Sequence, residues 1–156
     1  MPTSAVCVDA SLVVGLVAHP RRDRLRALWR EWQRRRLRIA APTLLLFEVT
    51  NAIYRYERQS LLQASSADRF LRLACALPLE LLDPAELHQE AIRFSRRFSL
   101  PAAYDAHYLA LADHLGAEFW TADRRLVRAL AGRLDWVHPA VEPAPADALA
   151  PPPAAP

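Results

Sequence analysis

Four acidic residues, Asp9, Glu48, Asp105 and Asp123, stand where carboxylates could act together. Asp9 ends the apolar run Ala5-Val6-Cys7-Val8, and Asp123 follows a second short run, Glu118 to Thr121, by two residues. Glu48 comes after Leu44-Leu45-Leu46-Phe47, and Asp105 is followed by Ala106, Tyr108, Leu109, Ala110 and Leu111. Both therefore fall in the first turns of helices with apolar faces. A carboxylate beside apolar surface is costly unless something compensates it. A helix N-terminus stabilises one acid modestly, not four that converge. A hard divalent cation can do so: Mg2+ or Mn2+ takes oxygen ligands, keeps several waters and leaves positions for phosphate oxygens. One such ion polarises a phosphate and acidifies water, and a second about 4 Å away would stabilise a leaving oxygen. Taken singly, each acid has a plainer reading. Asp9 and Asp123 can cap helices, and Glu48 can pair with Arg55 or bond Asn51 on its own helix face.

The elements that must carry these residues alternate. Ala5 to Asp9 reads as a buried strand and Ser11 to Ala18 as a helix broken at His19-Pro20. Leu25, Leu28, Trp29 and Trp32 make one helical stripe, with Arg22, Arg26, Arg30 and Arg34 on another face. The stripe suits core or an interface between copies. Strand Leu37 to Ala41 leads through Pro42-Thr43 into a helix from Leu44 to about Arg58. Ser65-Ser66 is expected to cap a helix running through Cys75, and Leu77 to Leu82 is expected as a strand. Asp83-Pro84 should start a helix to about Phe98, and Pro101 one to Leu115 that Gly116 stops in the left-handed region. Glu118 to Thr121 reads as a strand, Arg124 to Ala131 as a helix ended by Gly132, and Leu134 to Val137 as a last strand. Strands alternating with helices predict an α/β fold with a parallel sheet covered on both faces. Loops beyond the C-terminal strand ends of such sheets are where sites form.

At 156 residues, the chain suits one domain, assigned here to residues 1–138. Seven of the 13 prolines fall in the last 18 residues, interleaved with alanine, so residues 139–156 are expected to form a disordered tail. The apolar stretch from Ser11 to Ala18 has no Lys or Arg before it and carries Asp9 at its edge, which argues against a signal peptide and for a cytoplasmic protein. Cys7 and Cys75 lack metal or disulfide spacing and read as small buried hydrophobes. Formal net charge is +3, and every basic residue other than histidine is arginine, nine of them between Arg21 and Arg38. That run fits phosphate contact through the planar guanidinium and equally a solvated helix face.

Four segments, in order, carry a resemblance to the PIN-domain ribonucleases, specifically the VapC-type toxins of type II toxin–antitoxin pairs. They are Val8-Asp9-Ala10-Ser11, Pro42 through Glu48-Val49-Thr50-Asn51-Ala52, Tyr104-Asp105-Ala106-His107-Tyr108-Leu109-Ala110-Leu111-Ala112, and Thr121-Ala122-Asp123-Arg124-Arg125-Leu126. The resemblance implies a PIN-like three-layer α/β/α sandwich with a mainly parallel sheet. It implies Mg2+- or Mn2+-dependent endonucleolytic hydrolysis of RNA, with Asp9, Glu48, Asp105 and Asp123 as the catalytic, metal-binding acids. Asp9 and Asp105 match the direct ligands, and Asn51 and Thr121 match supporting positions. It further implies a homodimer and a cognate VapB-type antitoxin. One departure stands at Pro101-Ala102, where such proteins often carry a Ser or Thr cap.

Other classes fit less well. A DNA-cutting nuclease would use the same acids, and a non-catalytic RNA-binding domain could share the fold, although all four acids are present. His19, His88, His107, His114 and His138 show no ligand spacing. Gly15, Gly116 and Gly132 are the only glycines, so no phosphate-binding glycine loop exists.

Overall fold

The computed structural model describes residues 4–19 and 22–141. Its elements run β1 (Ala5–Val8), α1 (Ala10–Ala18), α2 (Asp23–Arg34), β2 (Arg38–Ala41), α3 (Leu44–Arg58), α4 (Ala64–Cys75), β3 (Glu80–Leu81), α5 (Leu87–Phe98), α6 (Tyr104–Leu115), β4 (Glu118–Thr121), α7 (Arg124–Leu130) and β5 (Val137–Pro139). The five strands form one sheet in the order β3-β2-β1-β4-β5, and every pairing is parallel. Helices α1 to α4 pack among themselves, and α5 packs on α6, which also lies against β1. The right-handed rule for parallel crossovers puts the return from β3 to β4 on the opposite face from the first two. The result is the three-layer α/β/α sandwich.

β1 lies at the centre, and all four of its residues are buried. This is why Ala5 to Val8 reads as a continuous apolar run rather than an alternating one. From β1 the chain turns one way to β2 and β3, while β4 and β5 lie on the other side. The gap beyond the C-terminal ends of β1 and β4 is the topological switch point, where open α/β sheets form their crevice.

The Leu/Trp stripe of α2 is core: Leu25, Trp29 and Trp32 are buried, and Trp32 meets Trp120 of β4 edge-on at 5.7 Å between centroids. It is therefore not available as a surface between copies. Gly15 makes this packing possible, because a Cβ there would lie 2.6 Å from Leu25 Cδ1. Gly15→Ala should overpack the α1–α2 contact by about 1–3 kcal/mol, more than the ~1 kcal/mol gained from helix propensity. Thermal melting followed by circular dichroism should show a fall of a few degrees; an unchanged or higher midpoint would count against this packing account.

Several boundaries differ from the sequence expectation. The cap of α4 is Gln63, without a side-chain bond, rather than Ser65 or Ser66. Asp83 does not cap a helix, and α5 begins at Leu87, after Pro84. Its carboxylate accepts from the Thr43 amide (3.2 Å) and the Thr43 hydroxyl, tying the β3 exit to the start of α3. A carboxylate that meets two donors across the fold has no need of the local amides. Helix α6 starts at Tyr104, three residues after Pro101. β3 contains only Glu80 and Leu81, paired with Ala40 and Ala41 of β2, rather than Leu77 to Leu82; two residues before Glu80, Pro78 has no N–H to donate to a ladder.

The last strand is Val137–Pro139 rather than Leu134 to Val137, since its register runs from Phe119↔Val137 to Thr121↔Pro139. Helix α7 turns left-handed already at Ala131 (φ 48°), one residue before Gly132. Cys7 is buried as expected, but Cys75, at the end of α4, is exposed. The packed chain also passes residue 138: Ala140 donates to the Thr121 carbonyl at 2.7 Å, and Ala140 and Val141 are both buried. The rest of the expected Pro/Ala tail, from residue 142, and Pro20 lie outside the described residues. Among the described residues no helix is long and apolar enough to cross a membrane.

Candidate active site

Asp9 occupies the switch point directly. It is only 5% exposed and caps α1. One carboxylate oxygen, Oδ1, accepts from the Leu12 amide (3.0 Å) and the Ser11 hydroxyl (2.7 Å), and Oδ2 accepts from the Thr121 hydroxyl at the end of β4. The cap reading and the site reading are thus both satisfied by one side chain. Burial pushes the Asp9 carboxyl up to about 6, against the opposing pull of these three hydrogen bonds, and the negative charge of Asp105 adds to the rise.

Thr121 and Ser11 bind the two strand ends together. The Ser11 and Thr121 hydroxyl oxygens stand 3.3 Å apart. Ser11 Oγ accepts from the Ala122 amide (3.0 Å), and Thr121 Oγ1 accepts from the Asp123 amide (2.9 Å). Asp123 then caps α7, accepting from the Arg125 and Leu126 amides at 2.8 and 3.3 Å. Thr121 was expected as a supporting residue. Ser11, to which the motif assigns no role of its own, holds Asp9 and the β4 exit at once; its signal in the sequence is a hydroxyl two residues after an acid at a helix start.

Glu48 and Asp105 enter from α3 and α6, and both are partly buried. Glu48 pairs with neither Arg55 nor Asn51. Its Oε1 accepts from the Tyr108 hydroxyl at 2.7 Å, across 60 residues of sequence. The Tyr108 ring is buried and stacks on Phe119 of β4 at 6.2 Å. Its hydroxyl stays protonated, because burial, then the charge of Glu48, raises its pKa. Asn51 is exposed on α3, three residues beyond Glu48, and no bond joins it to the acids.

Electrostatics tie the four acids into one group. Asp105 is raised by burial and then by Asp123, with Arg125 opposing. Glu48 is raised by burial, while the Tyr108 bond opposes; Asp105 then raises it, and His107 lowers it. Asp105 is therefore the acid that feels or is felt by all three others. A group that resists its own charge in this way suits a cation.

No three His, Cys, Asp or Glu side chains among the described residues stand ready as a metal cage. The donor set still fits Mg2+, which binds through one or two carboxylates and keeps waters in its remaining positions. Asp9 retains capacity for such a contact: three of its roughly four lone-pair directions are engaged, leaving one on Oδ2. A larger hollow of about 350 Å3, lined by Gly116, Glu118 and Trp136 among others, lies toward the opposite end of β4 and contains none of the four acids.

Tyr108→Phe isolates the hydroxyl that positions Glu48, leaving the ring stack intact. Loss of such supporting bonds costs roughly 10–100-fold in metal affinity or activity. Should the acids hold a divalent ion, magnesium affinity should fall by that order with the fold retained; wild-type affinity would show that the bond does not position Glu48.

A doubly wound parallel sandwich with carboxylates from four elements at its switch point defines a class of acidic-site α/β proteins. Within that class the chain belongs to the PIN-domain family, which matches residues 6–131. It is similar to Exonuclease VapC9 of Pyrobaculum aerophilum, 28% identical over 130 residues, covering 82% of this chain and 87% of that one. Among solved structures it is similar to PAE2754 from Pyrobaculum aerophilum, with a TM-score of 0.62 and 27% identity over 80% of this chain and 78% of that one. Its fold also resembles that of VapC20 from Mycobacterium tuberculosis, a sarcin-ricin loop cleaving toxin, with a TM-score of 0.57 and 16% identity over 80% and 95% of the two chains.

Proposed function

We propose that this protein is a Mg2+-dependent endoribonuclease, the toxin of a VapBC-type pair, acting in the cytoplasm as a homodimer and neutralised by a VapB-type antitoxin. The observation that carries the reading is the shared electrostatic strain of Asp9, Glu48 and Asp105 at the switch point of a PIN fold. Membership of the family and likeness to a VapC exonuclease support nuclease chemistry. Endonucleolytic action is favoured by the setting: exposed Phe47, Tyr104 and Arg125 flank the acids, so a strand can continue past them.

Asp9 and Asp105 would hold the ion, with Glu48 and Asp123 completing its surroundings; Mn2+ has the same preference for oxygen donors. When bound, the ion supplies charge stabilisation at phosphate oxygens and lowers the pKa of water. The chain itself orients the acids. Thr121 and Ser11 fix the Asp9 carboxylate, Tyr108 fixes Glu48, and the α7 amides fix Asp123. Arg125, whose charge reaches Asp105, is placed to meet a flanking phosphate. Asp9 and Glu48 are both raised by the charge of Asp105, so no single carboxylate is assigned as general base.

The test is cleavage of matched RNA and DNA strands, and of a circular RNA, in Mg2+, Mn2+ and EDTA. Cutting of linear and circular RNA that EDTA stops is expected. Equal cutting of DNA would make the protein a general nuclease, an uncut circle would make it an exonuclease, and cutting in EDTA would remove the metal.

A further inference from the structure

Beside the acids lies a cavity that their chemistry does not use. It encloses about 280 Å3 between the start of α3 and the helices α5 and α6, and Leu44, Phe47, Leu87, His88, Tyr104 and His107 are among the residues that line it. Two of these are large aromatics left in solvent: Phe47 is 74% exposed and Tyr104 62%. Folding leaves most of their apolar surface uncovered. Each directly precedes an acid of the site, Phe47 before Glu48 and Tyr104 before Asp105. The cavity therefore adjoins two of the carboxylates in sequence, although none of the four lines it. His107 closes the link, since it both lines the cavity and acts electrostatically on Glu48.

Two histidines at the edge of the cavity are hydrogen-bonded to each other. His107 Nδ1 lies 2.6 Å from the Ala103 carbonyl, which can only accept, so Nδ1 carries the proton. In the neutral ring His107 Nε2 is then an acceptor, and His88 Nδ1, 3.0 Å away, donates to it. An apolar hollow flanked by two exposed aromatic rings matches the face of a flat aromatic ring. The volume falls just below the roughly 300 Å3 at which small-ligand sites begin, and so suits one ring system rather than a whole nucleotide or a folded segment.

We propose that this cavity is a nucleobase subsite, in which Phe47 and Tyr104 stack one unpaired base of the RNA strand whose backbone passes the acids. The proposal rests on the ribonuclease reading and deepens it: the strand must be locally single-stranded at the cut, because a paired base cannot enter. Stacking on an aromatic side chain is tolerant of base identity.

The experiment measures binding of a fluorescein-labelled, mixed-sequence 12-nucleotide single-stranded RNA by anisotropy, alongside its fully paired duplex. Phe47→Ala and Tyr104→Ala should each weaken single-strand binding by about 5- to 100-fold. Phe47→Trp should retain it, and duplex binding should not respond. Tyr54→Ala, an equally exposed aromatic outside the cavity (55% exposed), should leave binding unchanged. Both alanine substitutions fall on exposed rings, and unchanged melting temperatures will show that the fold is intact. Wild-type affinity in both alanine variants, or an equal loss for duplex and single strand, overturns the subsite. So does an alanine variant that binds RNA normally but sediments with a changed subunit number, which would assign the cavity to a protein surface. If wild type cleaves RNA yet the aromatic variants bind normally, only the subsite fails; if wild type neither binds nor cleaves RNA, the function fails with it.

Discussion

Replacing Asp9 or Asp105 by asparagine is expected to abolish RNA cleavage, by about 10^3-fold or more, while the protein stays folded. A loss of that size corresponds to about 4 kcal/mol of transition-state stabilisation, within the several kcal/mol that a bound divalent ion contributes at a phosphoryl oxygen. Asparagine keeps the shape and one acceptor oxygen but cannot supply a full negative charge. At position 9 its oxygen can still accept from Leu12 and Ser11, and its amide can donate to Thr121 Oγ1, so the strand ends remain tied. At position 105 the half-buried side chain loses a charge that Asp123 already opposes. Single-turnover cleavage, with circular dichroism as the fold control, reads the effect. Normal metal-dependent cleavage in both variants would show that the acids do not form the site.

The second large effect concerns stability rather than rate. The Asp9 carboxyl is raised from 3.8 to about 6 in the folded, metal-free protein, chiefly by burial. Between those values the folded state holds a proton that the unfolded chain has lost. The sign follows: the favourable contribution of the protonated form is fully present below pH 3.8 and is lost as pH rises through about 6. A shift of roughly two units corresponds to about 3 kcal/mol. Asp9→Asn removes this dependence.

In EDTA the melting temperature of the variant should therefore gain on wild type by several degrees between pH 4 and pH 7.5, at about 2–4 °C per kcal/mol for a chain of this size. Comparing the two pH values cancels any fixed cost of rearranged hydrogen bonds. Added Mg2+ should raise the wild-type midpoint at pH 7.5 and leave Asp9→Asn nearly unmoved, because only the folded wild type offers the full site. A wild-type minus variant difference that is flat with pH would mean that Asp9 is not held against its own charge.

The two effects share one cause. The burial that makes the Asp9 charge costly in the free protein is what lets a cation and a phosphate interact strongly there, since electrostatic interactions gain strength as water is excluded. Thr121 and Ser11 keep that cost bounded by bonding the charged form. The charges of Asp9, Glu48 and Asp105 are thus less favourable in the folded protein than they would be in solvent, which a bound cation would relieve.

Local pattern in the chain determined a good deal of this. The continuous apolar run of Ala5 to Val8, the 3.6-residue stripe through Leu25, Trp29 and Trp32, and the left-handed stop at Gly116 each depend on neighbours a few residues away, and each has its expected form. The order of strands and helices, with acids at two strand exits and two helix starts, follows from the same local rules.

Tertiary structure alone decided what those elements meet. Asp9 reaches Thr121 across 112 residues and Glu48 reaches Tyr108 across 60, and no periodicity encodes either bond. Asp83 looked like a helix cap because the local signal for a cap is a short acid before a proline; a threonine 40 residues away offered it two better donors. The Trp stripe could have faced a second copy until the sheet was there to cover it. The four acids were legible one by one, as residues that burial would penalise. Only the parallel order β3-β2-β1-β4-β5, which opens its crevice between β1 and β4, brought them close enough for Asp105 to raise the cost of charging Asp9 and Glu48, and for Asp123 to raise that of Asp105.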